Sequence, residues 1–324
     1  MKYKPFGTTG VQLSMLGLGT MNMGSDTDED ESKKMVQRCL DAGVNHFDCA
    51  NVYSGGRSEE ILGRALKPVR DEVFLATKMG FPTGSGINER GASAYNVRAS
   101  VEASLRRLDT DRIDLFYLHY FDWRTDVDDL LRSLDRLVAS GKVLYLGVSN
   151  YAAWQIATAL GRAALLGLAP IAAFQPMYNL VKRQAEVELL PFAESAGLGV
   201  IAYGPLAGGL LTGKYRGDRT MVEGRLNSNE MYNKRYRDDS DFAIGERLVA
   251  LADEIGCHPA TLAVAWAASQ PGITAPLIGG RTAEQLVPSL AAADFAIDDD
   301  LRTRVSALSP EPPPATDRSE ARVS

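Results

Sequence analysis

The chain has 324 residues, 45% of them hydrophobic and 23% charged, with 35 Lys and Arg against 41 Asp and Glu for a formal net charge of −6. This is ordinary for a globular protein with a sizeable core, and an acidic balance without a basic run argues against nucleic acid as a partner. The three cysteines (Cys39, Cys49, Cys257) are too scattered for a disulfide framework or a zinc site, and no apolar run has the length of a membrane span, so a reducing, cytoplasmic setting with no membrane partner is expected.

In chain order, YKPFGTTGVQLSM reads as a hairpin turning around Thr8–Gly10, placed to plug the floor of a barrel. Eight short apolar runs come next: LSMLGLG (13–19), VNHFDCA (44–50), EVFLATKMG (72–80), IDLFYLH (113–119), VLYLGVSN (143–150), IAAFQPMYN (171–179), GVIAYGPL (199–206) and ITAPLIGG (273–280). Segments of helical period lie between them, among them TDEDESKKMVQRCLDAG, SAYNVRASVEASLRRL, DVDDLLRSLDRLVASG and QAEVELLPFAESAG. The first opens on acids and ends at Gly43, as dipole and capping preferences require. Short strands alternating with helices imply parallel pairing, because parallel strands need crossover connections.

Eight such units predict an α/β fold, a closed (β/α)8 TIM barrel with an N-terminal β-hairpin and a long loop after strand seven. An open doubly wound sheet would place G-x-G-x-x-G after its first strand, and GLGTMNMG does not fit that frame. The barrel is expected over residues 1–308, and the Pro-rich polar end, 309–324, is expected to be a disordered tail. Residues 207–240 form a polar connection long enough to be a functional lid.

Barrel sites form at the C-terminal ends of the strands. The polar residues stranded there are Asp48, Lys78, His119, Asn150, Gln175 and Tyr203, with Tyr53 in the loop after the second strand. Singly, each has a plain structural reading: a capping carboxylate, a solvated lysine, a packing tyrosine. Together, an Asp, a Tyr, a Lys and a His at successive strand ends converge on one small volume. Tyrosine with a pKa near 10 is protonated at neutral pH and can donate. A neighbouring ammonium stabilises the phenolate that develops, and a carboxylate holds that ammonium.

FDCANVYSGGRSEEILG resembles the first signature of the aldo-keto reductase family, with Asp48 and Tyr53 at the catalytic positions. SLRRLDTDRIDLFYLHYFD (104–122) is similar to its second signature and carries His119, LATK supplies Lys78, and GVSN (147–150) and FQPMYN (174–179) look like its cofactor segments. YGPLAGGLLTGKY (203–215) resembles the loop of the subgroup that includes the potassium-channel β subunits. The resemblance covers the chain to residue 308, and Cys49 stands where a Thr is common.

It implies an NADPH-dependent reductase of aldehydes or ketones, with Tyr53 as proton donor, Lys78 and Asp48 behind it, and His119 on the substrate oxygen. It places Tyr203 against the nicotinamide ring and Ser149, Asn150 and Gln175 at the carboxamide. Gly19, Thr20, Met21, Gly204, Pro205, Leu206, Gly208, Lys214 and Arg225 would complete the cofactor cradle, with Gly279, Arg281, Gln285 and Ser289 at the adenosine end. Arg281 would meet the 2′-phosphate of NADP; Pro288 and Ser289 replace a Glu-Asn pair frequent in the family. Met23, Phe81, Tyr120, Trp123 and Tyr178 are expected to line the substrate pocket, an apolar and aromatic set suited to an uncharged or aromatic carbonyl, and no metal is expected. Two alternatives stand beside this reading. One is a regulatory subunit that keeps the reductase fold and cofactor. The other is a lyase forming a Schiff base on Lys78, which Asp48 disfavours by keeping the lysine charged.

Overall fold

The computed structural model describes residues 1–216 and 224–316. Strands β1 (Tyr3–Pro5) and β2 (Gln12–Ser14) pair antiparallel as the hairpin. Eight further strands close into a wholly parallel barrel: β3 (Gly17–Gly19), β4 (His46–Asp48), β5 (Phe74–Met79), β6 (Ile113–Leu118), β7 (Val143–Ser149), β8 (Ile171–Gln175), β9 (Gly199–Ala202) and β10 (Ala275–Ile278). Helices α1 (Glu29–Asp41), α2 (Arg57–Leu66), α3 (Ala94–Leu108), α4 (Val127–Ala139), α5 (Ala153–Leu166) and α6 (Leu189–Ser195) fill the first six crossovers. The seventh holds α7 (Arg225–Ser228), α8 (Glu230–Arg235), α9 (Asp239–Glu254) and α10 (Pro259–Ser269); α11 (Ala283–Leu290) and α12 (Asp299–Ser306) follow β10. The (β/α)8 barrel with its N-terminal hairpin is therefore the fold.

Two expectations need correction. The run LSMLGLG is two strands, because Ser14 turns back on its own chain, donating from Oγ to the Leu16 carbonyl at 2.6 Å and exchanging bonds with Asn45. The connection after β9 is not a bare loop. A 3₁₀ segment spans Ala207–Thr212, and Asn229 caps α8 by accepting from Met231 and Tyr232 amides. Helices of four and six residues are too short to show a period in sequence, and Leu226, Tyr232 and Tyr236 bury what apolar surface they have. Residues 217–223 of the expected lid and 317–324 of the expected tail lie outside the described residues. Leu308 and Ser309 are tied down through their carbonyls by Arg247 and Arg183.

Alternation sends every second strand residue into the barrel. Near the floor, Phe6 and Leu13 of the hairpin pack against the inward residues Phe74, Leu115 and Ile201, with Phe6 edge-on to Phe74 at 5.3 Å. Two inward glycines make room for large neighbours: a Cβ at Gly147 would lie 2.5 Å from the Tyr117 ring, and one at Gly17 would lie 2.6 Å from His46. The floor is thus filled, and the opposite end of the barrel is left to polar side chains. Among the described residues no single helix is long and apolar enough to cross a membrane; α9 with α10 passes together only as a pair bent by 102°, and α10 is buried in the core.

Candidate active site

At the C-terminal end of the barrel, Lys78 is wholly buried and donates from Nζ to Asp48 Oδ1 and to the Cys49 carbonyl at 2.8 Å. Asp48 Oδ2 accepts from Gln175 Nε2 at 2.8 Å. The ammonium lies 5.4 Å from the centre of the Tyr53 ring and 5.8 Å from that of Tyr117. His119 stands edge-on to Tyr53 at 5.9 Å, and its Nδ1 is buried with no partner among the described residues. The structure therefore brings Asp48, Tyr53, Lys78 and His119 into one cluster.

The local chain explains how Tyr53 arrives there. It opens a 3₁₀ turn, Tyr53–Gly56, in which Ser54 adopts φ 51° and Gly55 and Gly56 are left-handed. Directly beyond, α2 is pinned to the barrel wall by polar residues on its buried face. Ser58 Oγ bonds Thr20 at 2.9 Å, while Glu59 accepts from Thr77 Oγ1 at 2.6 Å and from Arg107 Nε at 2.7 Å. Glu59 has no exposed surface, so its charge is held by that pair of donors.

Burial, with the Asp48 charge second, raises the Tyr53 pKa well above its usual 10. Its hydroxyl stays protonated through the neutral range. His119 moves the other way: burial first, then the Lys78 charge, lower its pKa to about 3, so its imidazole is neutral. A second buried histidine, His46, lies two residues before Asp48 on the same strand face, and burial lowers it to about 4.

A chain of bonds runs along the facing wall. Tyr203 donates from its hydroxyl to Asn150 Oδ1 at 2.8 Å, and Asn150 Nδ2 donates to Ser149 Oγ and the His119 carbonyl. Ser149 Oγ donates to the Gln175 carbonyl at 2.9 Å. Asn150 holds φ 59°, the left-handed region in which Asn is among the better tolerated residues.

Beside this wall the backbone is bare. A Cβ on Gly204, at φ 72°, would meet nothing within 4 Å, and Gly279 comes so close to Gly19 that its Cβ would lie 3.3 Å from the Gly19 carbonyl. Pro205 is buried and Leu206 half-buried beneath this stretch. Over it, Tyr232 packs on Gly208 and donates to Met21 Sδ at 4.0 Å, while exposed Lys214 leans on the Tyr215 ring. Asn22 ties three segments together, donating to the Gly280 carbonyl at 2.8 Å and accepting from Arg225. Arg281 pairs with Asp26 at 3.3 Å, and its amide donates to Gln285 Oε1.

Of the residues expected to line the substrate pocket, Phe81 (4.7 Å from the His119 ring) and Tyr120 stand at the mouth, and Trp123 is 75% exposed on the rim. Phe121 and Trp154, which pack against Trp123, extend that rim and were not read from the sequence. Four of the expected residues have side chains that point away from the mouth or into packing. Tyr178 is a core residue stacked on Trp266 at 5.3 Å with its hydroxyl on Glu186, and Met23 is buried in the main core. Thr20 spends its hydroxyl on Asp48 and Ser58, and Ser289 shares the buried face of α11 with Ala283 and Leu286. Sequence position alone marked them, and helical or loop geometry turned their side chains inward. Tyr117, Glu59 and Asn22 were missed. Alternation back from His119 would have pointed Tyr117 inward; nothing local marks Asn22, whose partner Gly280 is 258 residues away.

A 270 Å³ cavity lies at the other end of the barrel, lined by Lys67, Arg70, Asp109 and Arg112 among others. Its charges are paired, Arg70 with Asp114 and Arg112 with Asp71, and the floor of a barrel serves stability. Among the described residues no group of three His, Cys, Asp or Glu is arranged to hold a metal.

The Aldo/keto reductase family pattern matches residues 15–309. The chain belongs to that family of oxidoreductases. It is 38% identical to the "uncharacterized oxidoreductase YrpG" of Bacillus subtilis (strain 168), over 96% of this chain and 97% of that one. It is 36% identical to a "probable voltage-gated potassium channel subunit beta" of Oryza sativa subsp. japonica, over 91% and 92% of the two chains, and 34% identical to the "norsolorinic acid reductase" of Aspergillus flavus, over 90% and 77%.

The position of Asn22 yields a prediction. Asn22→Ala frees Arg225 and the loop before α11 at once, so amides of α7 and α8 should exchange faster by about tenfold or more, the worth of one bond to a charged group. Hydrogen exchange read by mass spectrometry checks it. Unchanged protection of residues 224–236 contradicts the latch.

Proposed function

We propose that this protein reduces aldehydes or ketones to alcohols with NADPH, and that Tyr53 delivers the proton. The observation that carries the proposal is the fully buried Lys78–Asp48 pair set beside the Tyr53 phenol and a neutral His119 at the open end of the barrel.

The residues fit a nicotinamide dinucleotide. Gly19, Gly204 and Gly279 offer backbone without side chains, Tyr203 offers a flat face, and Ser149, Asn150 and Gln175 offer polar atoms. Lys214 and Arg225 are cations within the segment that crosses this stretch, suited to a pyrophosphate, while Arg281 and Gln285 stand at the far end, suited to a 2′-phosphate and an adenine. When bound, the cofactor supplies hydride.

Every other task falls to the chain. His119, neutral and with an unpartnered ring nitrogen, donates to the carbonyl oxygen and fixes its direction. Tyr53 keeps its proton until negative charge grows on that oxygen, then yields it. Lys78 stabilises the phenolate that results, and Asp48 keeps Lys78 in place and charged. Phe81 and Tyr120 at the mouth, with Trp123, Phe121 and Trp154 on the rim, favour an uncharged aromatic carbonyl as substrate. The reductase relative from Aspergillus supports this direction by its name. A second reading, a cofactor-holding subunit of a larger assembly, has the rice channel subunit in its favour.

Tyr53→Phe separates the two readings. With an aromatic aldehyde and NADPH, kcat should fall by about 10²–10⁴-fold while cofactor affinity stays within about twofold. Wild-type turnover by the Phe variant removes Tyr53 from the chemistry, and a wild-type protein that binds NADPH without turning over any carbonyl favours the subunit.

Arg281 should set the cofactor preference. A charge-assisted bond to phosphate is worth roughly 1.5–3 kcal/mol, or about tenfold and more in affinity. Arg281→Ala should weaken NADPH by that factor and leave NADH nearly unchanged, as titration of both cofactors would measure. An unaltered NADPH to NADH ratio assigns the discrimination elsewhere.

A further inference from the structure

In the ring of eight strands, β4 and β8 stand opposite one another. The bond from Gln175 Nε2 to Asp48 Oδ2, 2.8 Å long, therefore crosses the barrel from wall to wall. Both side chains are buried, at 2% and 1% exposure. The amide nitrogen of Gln175 is thus given to a carboxylate, a task separate from anything its amide oxygen does.

The strut links two sets of residues by a side-chain bond, beside the route that runs from Asn150 through the His119 carbonyl. On the β8 side, Gln175 belongs to the chain Tyr203–Asn150–Ser149, which ends on its carbonyl. On the β4 side, Asp48 holds Lys78, which faces Tyr53. The titratable groups around Asp48 are Lys78 on β5, Tyr117 on β6, His46 on its own strand and Tyr53 in the following turn, with His119 beyond Lys78. Tyr117 leans toward Gln175, but its hydroxyl reaches no hydrogen-bond partner among the described residues. Lys78 occupies one carboxylate oxygen of Asp48. Gln175 is the side-chain donor on the other, and it fixes the plane of the carboxylate and hence the direction in which Lys78 is held.

We infer that Gln175 is a positioning residue for the proton-donating group: through Asp48 it aims Lys78 at Tyr53, and so couples the Tyr203 wall to the acid. This rests on the reductase reading above but assigns Gln175 a task distinct from holding the carboxamide. Buried groups acting through one another are non-additive, so a double-mutant cycle is the appropriate instrument.

Gln175→Met keeps the length and removes the donor. At saturating NADPH, where any loss of a carboxamide contact no longer counts, its kcat for an aromatic aldehyde should fall about tenfold or more. Without any cofactor, Gln175→Met should shift the urea unfolding equilibrium about tenfold toward the unfolded state, and the shift should all but vanish in an Asp48→Asn background. Additive unfolding shifts, or a variant with normal kcat and much weaker NADPH binding, overturn the inference and leave Gln175 a cofactor ligand. The unfolding cycle does not depend on turnover, so a wild-type protein that reduces no carbonyl would count against the reductase reading alone.

Discussion

The structure turns on one buried ion pair, Lys78 with Asp48. Moving either charge out of water costs on the order of several kcal/mol, and attraction between the two repays this only if their remaining donors and acceptors are also satisfied. The barrel meets that demand from three strands and the turn after one of them. Asp48 comes from β4, Lys78 from β5 and Gln175 from β8, and the Cys49 carbonyl accepts a second hydrogen bond from the ammonium. No smaller sheet would bring strands so distant in sequence to face one another across a closed lumen. Such a pair is weak evidence for stability, and its position beside a phenol makes it evidence for chemistry.

The surrounding structure divides into a filled end and an open end. The hairpin and the inward aromatic residues close the floor, with Gly17 and Gly147 yielding volume to His46 and Tyr117. That packing leaves the strands little freedom at the mouth, where Tyr53, His119 and Tyr203 depend on it for their placement. The Tyr53 turn gains further rigidity from α2, whose Ser58 and Glu59 are bonded to Thr20, Thr77 and Arg107. The segment around α7 and α8 is joined to the barrel through Asn22, Met21 and Asn179, with Leu226, Tyr232 and Tyr236 buried.

Much of this was legible in the sequence. The barrel strands are apolar runs at regular spacing, and polar residues at their ends stand out because the fold places its chemistry there. Asp48, Lys78 and His119 were visible for that reason, and Tyr53 through the motif that joins it to Asp48. The hairpin and first strand ran together because Ser14 breaks the chain by a side-chain bond that no pattern reveals. Helices α7 and α8 were hidden by their shortness. Tyr178, Met23, Thr20 and Ser289 were placed by neighbourhood in the chain, whereas their side-chain directions are set by tertiary packing. The Gln175–Asp48 bond joins residues 127 apart, a relation that exists only once the barrel has closed.

The central claim is that this cluster moves a proton to an oxygen whose carbon receives hydride. Transfer of deuterium from C4-labelled NADPH to an aromatic aldehyde measures it most directly. The account predicts one deuterium at the carbinol carbon of the product alcohol from one C4 epimer and none from the other. An alcohol without label from both epimers, or an aldehyde left unreduced by a protein saturated with labelled NADPH, would contradict it.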